Sequence, residues 1–164
     1  MLRKTAIAIF TVLLAAMTSC ESVDNERIPP VAVRIDLSNI GMWNTYGVPG
    51  ALDYREFIRN ANPPVPANFP YTALTYTGFG GVLLVGDING NPVAYDLSCP
   101  VERKADIRVR VDRSANNAYC PVCGSRYDIF NNLGHPLSGP ASTDHYGLQL
   151  YHTTPKDGGY IIER

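Results

Sequence analysis

From Val31 onward, apolar residues recur at every second position through most of the chain. In VAVRIDLS, Val31, Val33, Ile35 and Leu37 share one face while Arg34, Asp36 and Ser38 share the other, the pattern of a half-buried strand. Residues 82–98 hold two such runs around Asn89–Gly90, which predicts a hairpin with a type I′ turn. In the second arm Val93, Tyr95 and Leu97 alternate with Ala94, Asp96 and Ser98; in the next strand Ile107, Val109 and Val111 alternate with Arg108, Arg110 and Asp112. SRYDIF and HPLSG flank Asn131–Gly134 as another hairpin, and LQLYHTT, PKDGG and YIIER make a last one. LDYREFIRN (52–60) is the stretch that offers a helical turn or two, and NPPVPANFP (62–70), with four prolines, predicts a surface loop. Short strands at close spacing between Gly and Pro turns predict an all-β fold, a small antiparallel barrel or sandwich. Residues 31–164 suffice for one such domain with its own core.

The start of the chain follows a different rule. MLRK is basic, TAIAIFTVLLAAM is apolar but short for a membrane span, and TSC ends the run on small residues. Residues 1–19 therefore read as a secretory leader. MTSC resembles a bacterial lipobox, which implies cleavage before Cys20 and lipid on that residue. ESVDNERIPP, within the polar stretch 20–30, predicts a flexible tether between lipid and domain. The expected location is the cell envelope, on the periplasmic or the cell-surface side, held to the membrane by the lipid at Cys20. Losing Arg3 and Lys4 with the leader takes the formal charge from −1 to −3. There is no basic patch with interleaved aromatics, so nucleic acid is not an expected partner.

Chemistry concentrates in the cysteines. With Cys20 lipidated, Cys99, Cys120 and Cys123 remain, an odd number for an exported protein. Cys99–Pro100 follows the strand AYDLS, and CPVCG (120–124) follows NAY, so both thiol segments lie where a strand turns into a loop. Two such hairpin tips can face each other across a small gap.

These loops resemble the Rieske family, whose motif is Cys-x-His, about twenty residues, then Cys-x-x-His on two loop tips of a small antiparallel domain. Cys99-Pro-Val and Cys120-Pro-Val-Cys occupy those places. Gly124, Ser125, Tyr127 and Asp128 match the segment after the second ligand pair, where a Ser and a Tyr bond the cluster and its sulfur. Gly139-Pro140-Ala141 matches the covering proline loop and LQLYH the following strand; the resemblance spans about residues 76–162. It implies a Rieske-type barrel with two cysteine-bearing hairpin loops, sulfur ligands at Cys99 and Cys120, supporting roles for Ser125 and Tyr127, and a cover at Gly139 and Pro140. The pattern departs at the imidazoles, because Val101 stands at the first His and Cys123 at the second.

Three outcomes for the trio follow: thiols or a disulfide, with Cys99–Cys120 favoured over Cys120–Cys123; zinc with three thiolates and a fourth donor such as Glu102, His135 or water; or a 2Fe–2S cluster with altered ligands. The leading expectation is a lipid-anchored accessory or binding protein without a standard Rieske cluster and without catalytic residues. The alternatives are electron transfer to a redox or envelope partner and a zinc or thiol module. His145 and His152 read as surface residues, GFGG (78–81) as a bend into a strand, and Trp43 and the tyrosines as core and rim.

Overall fold

The computed structural model describes residues 22–164, so the leader over 1–19 and the lipidation site Cys20 lie outside the described residues. The strands are β1 (Val33–Leu37), β2 (Tyr54–Phe57), β3 (Tyr76–Thr77), β4 (Val82–Gly86), β5 (Pro92–Asp96), β6 (Arg110–Asp112), β7 (Asn117–Tyr119), β8 (Arg126–Asp128), β9 (His135–Ser138), β10 (Leu150–Lys156) and β11 (Gly159–Glu163). Two short helices interrupt them, α1 (Ile40–Tyr46) and α2 (Pro140–Thr143). Seven strands form a nearly closed antiparallel sheet in the order β2-β4-β5-β10-β11-β1-β3, and four form a second sheet in the order β6-β7-β8-β9. The molecule is thus a small all-β barrel. Arg59, just after β2, donates to the Thr75 carbonyl beside β3 at 2.7 Å and draws the two edges of the large sheet together.

The large sheet is covered on both faces. Val82 and Leu84 of β4 join Val33, Ile35, Leu37, Phe57 and Ile162 in one apolar cluster. Leu83 and Val85 join Tyr95, Leu97, Tyr127 and Ile129 in the other, against the small sheet. Alternation therefore reads β1 well, since its residues are buried and exposed in turn, but misreads β5, where Ala94, Tyr95 and Asp96 are all buried. A strand covered on both sides loses its polar face.

Residues 52–60 are not helical. Tyr54–Phe57 pair with Val82–Val85, and Phe57 is buried, because pairing in the sheet outweighs the weak helical tendency of LDYREFIRN. The nearby helix is α1, where the Asn39 side chain accepts from the N–H of Gly41 at 2.8 Å and of Met42 at 3.4 Å. The β4–β5 hairpin forms around Asn89–Gly90, but Gly90 alone of the two takes positive φ. The turn is not type I′: the Asp87 carboxylate accepts from the N–H of Asn89 and Asn91 and fixes a longer loop.

The segment expected as a free tether lies on the domain from Asp24 to Ile28. Asp24 N–H donates to the His145 carbonyl at 2.8 Å and Gly147 N–H to the Asp24 carbonyl at 2.9 Å. The Arg27 guanidinium stacks 3.9 Å over the Tyr146 ring, and Ile28 is only 2% exposed. One buried apolar residue, the Arg27–Tyr146 stack, two backbone bonds and the Arg103 Nε–H donating to the Arg27 carbonyl at 3.1 Å seat a segment whose composition reads as polar.

Candidate metal centre

Each thiol sits in a loop closed by its own backbone. Strand β5 runs through Leu97 and Ser98 into Cys99, whose N–H donates to the Ile107 carbonyl at 3.0 Å while Arg103 N–H donates back to the Cys99 carbonyl at 2.8 Å. Ser98 Oγ donates to the Lys104 carbonyl at 2.8 Å and closes the base of this loop. The second loop follows β7: Cys120 N–H donates to the Ser125 carbonyl at 2.9 Å, and Gly124 N–H to the Cys120 carbonyl at 3.0 Å. The antiparallel pairing of β7 with β8 and the packing of the small sheet on β5 bring the two loops face to face.

The sulfurs of Cys99, Cys120 and Cys123 all lie within 4.8 Å of one another, so this trio can hold a metal ion. Cys99 and Cys120 are buried and Cys123 is partly exposed. Cys99 Sγ stands 3.7 Å from Cys123 Sγ. All three thiols are free, so the disulfide outcome weighed from the sequence, Cys99–Cys120 or Cys120–Cys123, is not formed. The loops hold the sulfurs at ligand spacing, well beyond the S–S bond of about 2.05 Å.

The surroundings treat the thiols unequally. Burial pushes the Cys99 thiol up to about 12, against the lowering effect of hydrogen bonds from the Glu102 N–H, the Tyr127 hydroxyl and the Val101 N–H. Burial also works to raise Cys123, but the Ser125 hydroxyl and N–H, with the two neighbouring thiols, outweigh it and hold Cys123 below the ordinary thiol value. The Tyr127 hydroxyl lies 3.6 Å from Cys99 Sγ, inside the core. Ser125 Oγ accepts from the Cys123 thiol at 3.2 Å and from the Ala141 N–H at 3.0 Å. That second bond ties the Gly139–Pro140 segment over the site. Gly139 has φ 77°, and a Cβ there would stand 2.8 Å from Ser125 Cα, so only glycine lets the cover approach this closely.

Val101 packs against the apolar cluster that includes Cys99 and Cys120 and offers no donor atom. Neither Glu102 nor any histidine contributes an atom to the sulfur group. His135 Nδ1 lies 3.1 Å from the neighbouring Pro136 carbonyl, His145 carries the Asp24 backbone bond, and His152 is an exposed residue of β10. A Rieske iron pair takes two thiolates and two imidazoles. The residues gathered here do not fit it.

Two features escape sequence reading. Asp96, three residues before Cys99, is fully buried, and its carboxylate accepts from the N–H of Ser98 at 2.7 Å, of Phe79 at 3.0 Å and of Gly80 at 3.0 Å, and from the Tyr151 hydroxyl. GFGG is therefore the backbone half of a carboxylate cradle. A Cβ on Gly80 would overlap the Ser98 nitrogen, which gives the glycine its purpose. The signal was present as an acid three residues before a cysteine and a glycine cluster before β4, but nothing local joins them. The second feature is a cleft of about 270 Å³ beside Pro121 and Val122 in which Glu56 faces Arg108 and Arg110; burial raises the Glu56 carboxyl against the pull of those two cations.

No family model, no curated protein and no solved structure matches this chain.

Proposed function

We propose that the protein is an envelope metal-thiolate domain in which Cys99, Cys120 and Cys123 hold one soft ion, zinc being the best match, on a Rieske-like barrel anchored through lipid on Cys20. The observation that carries this reading is the sulfur spacing. Tetrahedral coordination with metal–sulfur bonds of about 2.3 Å places ligand sulfurs about 3.8 Å apart. Cys99 and Cys123 stand 3.7 Å apart, and all three sulfurs lie within 4.8 Å. A two-iron cluster spreads its terminal ligands over two metal atoms, which asks for a wider arrangement and a fourth protein donor.

The supporting groups suit thiolates. The N–H groups of Val101 and Glu102 and the hydroxyl of Tyr127 address Cys99, and Ser125 addresses Cys123. Such bonds orient sulfur ligands and spread their charge. The fourth position is left to water or to a donor brought by another molecule, on the partly exposed Cys123 side. The protein's own contribution is binding and presenting the ion, an accessory role with no catalytic residue assigned.

The test is anaerobic purification of the mature chain with zinc, iron and acid-labile sulfide quantified. About one zinc per chain, replaceable by cobalt with sulfur-to-metal charge-transfer bands, is the expected result. About two irons with two sulfides per chain would instead establish the electron-transfer alternative. A chain that takes up neither ion would remove the metal reading altogether.

A further inference from the structure

Cys123 is the residue of the trio that is partly exposed, while Cys99 and Cys120 are fully buried. A reagent arriving from outside therefore meets Cys123 first. Behind it, Cys99 Sγ is in direct contact at 3.7 Å. The two residues come from different loops, 24 positions apart, and each loop is closed at its base by its own backbone bonds. Bond formation needs the sulfurs to close by about 1.6 Å, within reach of a rotation of the partly exposed Cys123 side chain.

We infer that Cys123 and Cys99 form a thiol–disulfide exchange pair: Cys123 reacts with an external disulfide, Cys99 resolves the product, and the resulting Cys99–Cys123 disulfide dismantles the metal site. Cys123 thiolate attacks one sulfur of R–S–S–R; that bond breaks, and RS⁻ leaves and takes a proton from water. Cys99 then gives its proton to solvent and attacks Cys123 Sγ, expelling the second RS⁻, which is protonated in turn. Two protein thiols and one external disulfide become one protein disulfide and two RSH, so electrons balance without any other oxidant. Cys120 keeps its thiol throughout. The pairing stands on geometry alone, but its regulatory consequence rests on the metal reading, since bound metal occupies both sulfurs and blocks the attack.

The experiment uses the mature chain, stripped of metal with EDTA under nitrogen and then treated with oxidised glutathione. Unreduced peptides are mapped by mass spectrometry, and released glutathione is counted. The expected result is a Cys99–Cys123 cross-link, two equivalents of reduced glutathione and an alkylatable Cys120. Cys99→Ser should stop at glutathione on Cys123 with one equivalent released, and Cys123→Ser should react at least tenfold more slowly. A Cys120–Cys123 or Cys99–Cys120 cross-link, or glutathione left unresolved on wild-type Cys123, overturns the pairing. The wild-type map and count decide this even where a variant fails to fold. Prior loading with zinc should slow the reaction at least tenfold. An unchanged rate with the expected cross-link retains the pair and removes metal protection.

Discussion

Asp96 and Tyr151, 55 residues apart in sequence, share a buried hydrogen bond in which the phenol donates to a carboxylate already holding three backbone N–H groups. The bond links β5 to β10, with Asp96 three residues ahead of Cys99 in the chain. Burial raises the Asp96 carboxyl, and the hydrogen bonds of Tyr151, Ser98, Phe79 and Gly80 oppose that rise.

Tyr151→Phe should destabilise the fold by about 1–2 kcal/mol, the cost of leaving one buried acceptor less satisfied. Asp96→Asn should cost more, about 3 kcal/mol, because an amide NH₂ would point at backbone donors that need an acceptor. Urea unfolding measures both. Equal, small losses for the two variants would show that the cradle does not hold the loop.

Tyr127→Phe and Ser125→Ala should each weaken zinc binding about tenfold or more, since each removes a hydroxyl beside a ligand sulfur. Competition with a chromophoric chelator reads the change. Unchanged affinity in both variants would leave these hydroxyls with a packing role only.

Zinc affinity should rise with pH. Cys99, raised to about 12 by burial, carries its proton at neutral pH, and the ion must displace it. Loss of that proton alone gives at least about a tenfold gain in affinity per pH unit between about pH 6 and 8, and each further thiol that gives up a proton on binding steepens the slope. Calorimetry in two buffers of different ionisation enthalpy counts the protons released. An affinity flat across this range would mean that no protonated thiol takes part in binding, and would overturn the thiolate site.

Gly139→Ala forces a side chain into positive φ and against Ser125, so stability should fall by more than about 1 kcal/mol and zinc affinity should fall with it. A stability loss with full affinity would separate the cover from the metal site.

Trypsin should spare the Arg27–Ile28 bond in the folded protein, because Arg27 stacks on Tyr146 and Ile28 is buried. Arg27→Ala should cost about 0.5–1 kcal/mol and speed cleavage within the Asp24–Ile28 segment by other proteases. Immediate tryptic cutting at Arg27 would restore the free-tether picture.

The sequence by itself determined the class of fold and singled out the three cysteines that the structure brings together. Alternation with Gly and Pro turns specifies short antiparallel strands, because side-chain period is a local property of an extended backbone. Cysteines at strand ends, with Ser125, Tyr127 and Gly139 following, named the residues that the structure gathers. Tertiary structure alone decided the rest. Whether Tyr54–Phe57 turns as helix or pairs with β4 depends on a partner strand distant in the chain. Whether Asp96 faces water depends on a second layer covering β5 and on donors from GFGG and Tyr151. Whether three thiols form a disulfide or a ligand triangle depends on ångström-scale spacing between two loops. Local pattern carries no information on such distances, because they are set by how separate strands pack.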